Sequence, residues 1–240
     1  MEQGMPSRIC AYDVHQLRNQ YQCQHDLLVI EEFLPREWMN QHFLPSLAQC
    51  APFIHRVNVR GFKKSGSVSY HCIRQHAPSL LQLYRSEPMK KFLEDIVGVS
   101  LCHCPETDPH AAALYYYTEP GDCIRLHYDK SFYKGKRFTV LLGLIQDSEH
   151  SKLVCYPGAR KKHFKKNPVT IATHPGTLVV FNGDTLWHEV TPLGENEKRV
   201  ILTMEYVTDT RISLFSKWIS DSKDRFLYFG KKEYSQESSA

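Results

Sequence analysis

The sequence predicts one mainly β domain, a sandwich or barrel, with flanking α-helices. Three observations lead to this prediction. The chain has 240 residues, of which 42% are hydrophobic, so it can bury one good core or at most two small ones. From Ala111 onward, seven short strand-like segments are separated by Gly, Pro, Asn or Asp, which is typical of all-β folds. The first third instead shows helical spacing of its apolar residues, with one early strand.

The amino-terminal part is predicted to form helices and one strand that pack against the β core. "DLLVIEEFLP" is a short apolar run that Pro35 ends, and "REWMNQHFLPSLAQC" continues with helical spacing. "APSLLQLYRSEPMKKFLEDIVG" reads as two helices broken near Pro88, because proline lacks an N–H and clashes with the preceding turn. We therefore expect a single domain: supporting helices and strand over about 1–110, the β core over about 111–209, and a C-terminal helix and tail over about 210–240.

Composition narrows the class of protein. The net charge of +4 and the pI near 8.5 are too mild for a dedicated nucleic-acid binder. The amino terminus has no apolar run after its basic residue, and no stretch approaches the length of a membrane span. The eight cysteines are irregularly spaced, which favours free thiols over a disulfide framework. The sequence thus predicts a soluble cytoplasmic protein without a membrane partner, either a monomer or a homodimer that uses the C-terminal segment.

Two segments carry the residues of a candidate metal site. In "DCIRLHYD", strand alternation would place Arg125, His127 and Asp129 on one face. In "PGTLVVFNGDTLWHEV", a strand and a tight turn precede a second strand that carries His188. Two histidines and one carboxylate on neighbouring strands can bind one side of a metal and leave the other positions open, as in non-haem Fe(II) oxygenases. "CHC" at 102–104 lacks the second ligand pair of a zinc site.

Arg199 begins the strand "RVILTMEY", eleven residues after His188. An arginine at a strand end is usually solvated. If its guanidinium points inward, however, it can donate two parallel hydrogen bonds to a carboxylate. Lys198 is beside it, and by alternation the two residues cannot both face inward.

These residues together resemble a known family. "YTEPGDCIRLHYD" at 117–129 is similar to the tyrosine, PGD and HxD opening of the prolyl-hydroxylase-like branch of the Fe(II)/2-oxoglutarate dioxygenases. "HPGTLVVFNGDTLWHEVTPLGENEKRV" resembles the second half of that branch, with its distal histidine and a basic residue about ten positions later. The resemblance covers 26–207 and implies a double-stranded β-helix, the jelly roll also called cupin-like.

The resemblance also implies roles for individual residues. His127, Asp129 and His188 would bind Fe(II), and Arg199 would pair with the distant carboxylate of 2-oxoglutarate. Tyr117 would line the pocket, and Thr203 or Thr139 would share the carboxylate with Arg199. The implied reaction is hydroxylation of an unactivated C–H bond by O2, coupled to decarboxylation of 2-oxoglutarate to succinate, with ascorbate as an optional reductant. Because Asp129 fills the carboxylate position, halogenation is disfavoured.

The sequence says less about the substrate than about the metal site. Arg125 either forms a salt bridge with Asp122 or Glu119, or holds a carboxylate on the substrate. Tyr115 and Trp187 are further candidates for the substrate pocket. The compact domain favours a small polar metabolite such as a free amino acid. A protein hydroxylase, whose "KSFYKGKRF" segment would fold over a peptide, is the first alternative. A non-catalytic cupin-like metal or ligand sensor is the alternative from another class.

A nucleic-acid substrate is disfavoured. Alkylation-repair demethylases share the iron ligands, but their pattern has a second arginine six positions after the first, where this chain has Glu205. The run "RKKHFKK" at 160–166 reads as a solvated hairpin or loop by default. It would attract an acidic partner if it has a function.

Overall fold

The computed structural model describes residues 9, 11–159 and 167–212. The basic run at 160–166 and the predicted C-terminal helix after residue 212 lie outside the described residues. The predictions for both segments therefore stay predictions.

Helices dominate the first hundred residues, as the sequence predicts. Asp13 caps the first helix by accepting hydrogen bonds from the backbone N–H groups of His15 and Gln16. Ser86 caps the last helix, so the predicted break falls there and Pro88 lies in the first turn. The α-helices are α1 (Val14–Cys23), α2 (Arg36–His42), α3 (Leu44–Cys50), α4 (Tyr70–His76), α5 (Leu81–Arg85) and α6 (Glu87–Val97), with 3-10 turns at Ala51–Phe53 and Pro78–Leu80.

The strands form a mostly antiparallel, curled sheet in the order β1-β10-β7-β12-β5-β3-β6-β11-β8-β9, with β2 paired to β3 and β4 to β12. This arrangement confirms the predicted jelly roll. The strands are β1 (Leu27–Ile30), β2 (His55–Val59), β3 (Lys63–Val68), β4 (Cys102–His103), β5 (Ala112–Tyr117), β6 (Cys123–His127), β7 (Arg137–Asp147), β8 (Leu153–Tyr156), β9 (Val169–Ile171), β10 (Leu178–Asn182), β11 (Trp187–Val190) and β12 (Lys198–Val207).

The first third contributes more strand than the sequence predicts. Besides β1, it supplies the β2–β3 hairpin, and β3 pairs with both β5 and β6 in the core sheet. The sequence "KKSGSV" of β3 is polar and small, so it lacks the apolar alternation of a half-buried strand. Pairing and burial in the sheet determine its conformation.

Neighbouring residues of the core strands face two different apolar clusters. On β10, Leu178 and Val180 belong to the larger cluster, which also contains buried residues of α1 and α6. Val179 and Phe181 belong to a second cluster inside the curled sheet. The helices therefore cover the outer face, while the inner face is left to form a cavity.

None of the described helices is long and apolar enough to cross a membrane. The seven cysteines in the described part of the chain are free thiols. In that same part, the group of three or more His, Cys, Asp or Glu side chains placed to hold a metal consists of His127, Asp129 and His188, and it does not include the "CHC" residues.

Candidate metal centre

His127, Asp129 and His188 converge on one point. His127 ends β6 and is the register partner of His188 on β11, while Asp129 lies two residues beyond the strand. Asp129 Oδ1 is 3.6 Å from His127 Nε2 and 3.9 Å from His188 Nε2. One ligand atom from each residue lies within 4.8 Å of the others. The spacing suits three ligands on one side of a metal ion.

Backbone carbonyls determine which ring nitrogen of each histidine faces this point. His127 Nδ1 lies 2.8 Å from the Arg125 carbonyl, and His188 Nδ1 lies 3.2 Å from the Leu186 carbonyl. A carbonyl only accepts, so each Nδ1 carries the hydrogen. Both Nε2 lone pairs are therefore available to a metal, and the carbonyls hold the rings in orientation.

The charges of the three groups also suit a metal. Burial, with a smaller contribution from His188, lowers the pKa of His127 to about 4, so this ring is neutral near neutral pH. Burial would by itself raise the pKa of Asp129, but His188, His127 and Arg137 together hold it below its usual value. The site thus presents a neutral imidazole and a carboxylate, the forms in which these side chains bind metals.

A β-bulge corrects the predicted alternation on β6. Val190 pairs with Ile124 and His188 with His127, so two residues of β6 lie opposite one residue of β11 between these pairs. Ile124 and His127 consequently both line the cavity, whereas Arg125 is exposed and does not. The predicted salt bridge of Arg125 is absent from the described residues.

The acids predicted for Arg125 bind other cations instead. Arg56 donates to both carboxylate oxygens of the fully buried Asp122, at 2.8 and 2.7 Å. Glu119 lies 2.9 Å from Arg56 and 3.3 Å from Lys64. Both cations come from the β2–β3 hairpin, which the sequence does not reveal.

The candidate centre opens into a cavity of about 230 Å³. Burial divides its lining into a closed floor and a half-buried entrance. The floor contains Arg199 and Tyr117 among apolar residues, namely Leu141, Leu153, Phe181, Val190 and Ile201. The entrance is mainly aromatic and includes Phe62, Tyr115, Tyr128 and Phe132.

Arg199 is a buried cation in the floor, with 1% of its surface exposed. Its Nε donates to Thr173 Oγ1 at 3.2 Å, and its guanidinium carbon lies 5.0 Å from the centre of the Tyr117 ring. Within residues 11–159 and 167–212, no carboxylate pairs with it. Burial lowers the pKa of Arg199 and raises the pKa of Tyr117 to about 12. An unpaired buried guanidinium is costly, so the floor suits an anionic ligand.

The two candidate hydroxyls have different surroundings. Thr203 lies on the same face of β12 as Arg199 and lines the cavity, and its hydroxyl donates to the Ala113 carbonyl at 3.1 Å. Thr139 also lines the cavity, but its hydroxyl lies between Asp129 Oδ2 at 2.9 Å and Glu205 Oε2 at 3.0 Å. Both stay candidates for the carboxylate of a co-substrate. Thr203 lies on the same strand as Arg199, whereas Thr139 lies on β7.

The remaining substrate candidates lie at or near the entrance. Tyr115 lines the cavity, and the ammonium of Lys63 lies 4.5 Å from its ring centre. Trp187 does not line the cavity but packs edge-on against Tyr128, with ring centres 4.9 Å apart, and Tyr128 does line it.

Sequence reasoning missed several residues of the site. Lys63 and Phe62 come from the unpredicted hairpin, and Thr173 lies on a loop without any motif. Glu205 lines the cavity together with Arg199, Ile201 and Thr203. Counting every second residue from Arg199 along β12 would have found it.

No family model matches the chain, and no curated protein matches its sequence. Solved structures do match. The α-ketoglutarate-dependent epimerase SnoN from nogalamycin biosynthesis shares 12% identity at a TM-score of 0.68, over 81% of this chain and 80% of SnoN. A Pseudomonas putida prolyl-4-hydroxylase shares 14% identity at a TM-score of 0.57, over 82% and 99%.

A third similar structure is a Trichoplax adhaerens prolyl hydroxylase in complex with a fragment of the hypoxia-inducible-factor oxygen degradation domain. It shares 16% identity at a TM-score of 0.63, over 86% of this chain and 92% of that chain. At such low identities the likeness shows the fold alone. The fold is that of the Fe(II)/2-oxoglutarate oxygenases, as the sequence resemblance implies, and it carries a His/Asp/His site at its centre.

Proposed function

We propose that the protein is an Fe(II)- and 2-oxoglutarate-dependent oxygenase that hydroxylates an unactivated C–H bond of a small molecule, with release of succinate and CO2. The observation that carries this proposal is the arginine in the apolar floor. Arg199 is buried, lines the same cavity as the three candidate metal ligands, and has no carboxylate partner within the described ranges. A dicarboxylate keto acid fits both features, because one end can chelate a metal while the other reaches the guanidinium.

The residues present fit the metal as well as the co-substrate. His127, Asp129 and His188 would hold Fe(II), which when bound supplies O2 activation coupled to oxidation of 2-oxoglutarate. Arg199 would bind the distant carboxylate, with Thr173 orienting its Nε and Tyr117 stacking on it. The apolar floor would exclude water and so strengthen this ion pair.

The entrance supports a small molecule with a ring or another apolar surface. Four aromatic side chains line it, namely Phe62, Tyr115, Tyr128 and Phe132. Arg125, the residue that was a candidate to hold a substrate carboxylate, is exposed and outside the cavity lining. Aromatic side chains bind flat apolar groups through burial and ring stacking.

The segment after Asp129 supports a small molecule over a peptide. Asp184 accepts hydrogen bonds from the backbone N–H groups of Ser131 and Arg137 at 2.9 and 2.7 Å. Tyr133 donates to Asp108 at 2.7 Å. A segment tied in this way would lose several hydrogen bonds if it closed over a peptide, each worth about 1 kcal/mol.

The test measures succinate and oxygenated products. Purified protein would receive Fe(II), ascorbate, 2-oxoglutarate and air, together with either a metabolite mixture or a peptide library. We expect succinate, and a metabolite that gains the mass of one oxygen atom, in the wild type and not in His188→Ala. Oxygenated peptides with unchanged metabolites would instead support a protein hydroxylase. Absence of succinate from metal-loaded protein under every condition would support a non-catalytic sensor.

A further inference from the structure

The two oxygens of Asp129 have different neighbours. Oδ1 faces His127 and His188 at 3.6 and 3.9 Å. Oδ2 accepts a hydrogen bond from the Thr139 hydroxyl at 2.9 Å. One oxygen is thus directed to the metal position while the other is held by the protein, which is the arrangement of a ligand that uses a single oxygen.

Thr139 is itself held from the other side. Thr139 on β7 is the register partner of Glu205 on β12, and their side-chain oxygens are 3.0 Å apart. Arg137 Nε donates to the same Glu205 oxygen at 2.8 Å. Arg137, Thr139 and Glu205 all line the cavity. A continuous series of polar contacts therefore leads from a guanidinium to a metal ligand.

The available hydrogens make Asp129 the acceptor from Thr139. The hydroxyl has one hydrogen and two carboxyl neighbours. When Glu205 is ionised, Arg137 supplies its charged donor. When Glu205 carries a proton, it donates to the Thr139 oxygen. Because Arg137 already donates to Glu205 Oε2 and the Thr139 hydroxyl lies slightly closer to Asp129 Oδ2, we assign the Thr139 hydrogen to Asp129.

Gly183 packs closely against Thr139 and Asp129. A Cβ at this position would lie 2.8 Å from Thr139 Oγ1 and 3.2 Å from Asp129 Cβ. The Asp129 N–H also donates to the Gly183 carbonyl at 2.9 Å. Asp129 is therefore held through its backbone N–H and through one side-chain oxygen. Close packing around Thr139 leaves little room for the Thr139 side chain to adopt another rotamer.

We propose that Arg137, Glu205 and Thr139 form a positioning chain that fixes the orientation of Asp129 and thereby sets the affinity of the metal site. The inference rests on the proposed function, since it requires that the three ligands bind a metal. Thr139 acts in it through Asp129, not through 2-oxoglutarate. Hydrogen-bond partners of metal ligands typically change affinity by about 10–100-fold when they are removed.

The test is calorimetric titration of the full chain with Mn(II), which accepts the same oxygen and nitrogen ligands as Fe(II) and is stable in air. Thr139→Val keeps the side-chain shape and removes the hydroxyl. It should weaken Mn(II) binding by about 10–100-fold, while Thr139→Ser should stay within about threefold of wild type. The 2-oxoglutarate affinity of Thr139→Val at saturating Mn(II) should be unchanged. Circular dichroism checks that each variant is folded.

The outcomes separate this inference from the proposed function. Mn(II) binding by Thr139→Val at wild-type affinity overturns the positioning chain and leaves the oxygenase proposal standing. Weakened 2-oxoglutarate binding with unchanged Mn(II) binding also overturns it, because Thr139 would then act on the co-substrate. Absence of Mn(II) binding in folded wild type overturns both.

Discussion

Arg199 and Tyr117 lie directly opposite each other in the β12–β5 ladder, and the Arg199 guanidinium carbon is 5.0 Å from the centre of the Tyr117 ring. The strand pairing alone therefore brings together two residues that are 82 positions apart in the sequence. Both are almost fully buried. This pair lies in the floor of the cavity, where the proposed function places the distant carboxylate of 2-oxoglutarate.

Loss of the Arg199 charge should therefore weaken the binding of 2-oxoglutarate. A hydrogen bond to a charged group contributes about 1.5–3 kcal/mol, so Arg199→Gln should weaken binding by at least about tenfold while Mn(II) affinity is retained. Calorimetry at saturating Mn(II) measures both. The matched control is Lys198→Gln, because Lys198 is the exposed neighbour on the other face of β12. An equal loss in both variants would mean that general charge, not the cavity floor, attracts the ligand.

Metal binding should stabilise the folded protein. Mn(II) at about 100 times its dissociation constant should raise the free energy of unfolding by about 2.7 kcal/mol, since the unfolded chain lacks the assembled site. For a domain of this size that is about 5–10 °C in melting temperature, and EDTA should reverse it. His188→Ala should show no such shift, and the exposed His174→Ala should keep it. A shift that persists in His188→Ala would place the metal elsewhere.

Arg56 and Arg125 should differ in their effect on stability. Arg56 makes two hydrogen bonds to the fully buried Asp122 carboxylate, so Arg56→Gln leaves a buried charge poorly compensated. We expect a loss of about 2 kcal/mol, below the range for a fully buried pair because Arg56 is partly exposed. Arg125→Gln should change stability by less than about 0.5 kcal/mol. Urea denaturation measures both, and equal losses would contradict the assigned pairing.

Lys63 should make stability rise with pH. Burial lowers the pKa of Lys63 from 10.5 to about 7. Between these values the unfolded chain binds a proton that the folded chain lacks, so the free energy of unfolding increases with pH. The increase from this residue is about 1.4 kcal/mol per pH unit at most.

The measurement is urea denaturation of metal-free wild type and Lys63→Met from about pH 7.5 to about pH 8.5, a window chosen to lie between the two pKa values. The free energy of unfolding should rise less steeply with pH in Lys63→Met than in the wild type. Lys63→Arg serves as a charged control, because a guanidinium does not lose its proton in this window. A wild-type slope that Lys63→Met leaves unchanged would refute the assignment to Lys63.

The sequence predicts the core of the fold and the centre of the site because both depend on local patterns. Alternating apolar residues and turn residues mark the strands from β5 to β12. The HxD segment and the strand that carries His188 can each be recognised from a few consecutive residues. Arg199 follows from its spacing after His188, and the resemblance assigns the role of each.

Features that depend on contacts between distant segments are not predictable in this way. The bulge that turns Arg125 outward is visible only in the register of β6 against β11. The β2–β3 hairpin has a polar sequence, and its place between β5 and β6 is set by pairing with both. Thr173 orients Arg199 from a loop 26 residues away, without a motif. Each case involves a partner that is remote in the chain.

The most direct test of the account is the absorption spectrum of the purified protein after anaerobic addition of Fe(II) and then 2-oxoglutarate. A weak visible charge-transfer band should appear only when both are present, because it requires the keto acid to chelate iron held by His127, Asp129 and His188. At limiting 2-oxoglutarate the band should weaken in Arg199→Gln. Folded, iron-loaded wild type that shows no band would contradict the assignment of this site to iron and 2-oxoglutarate.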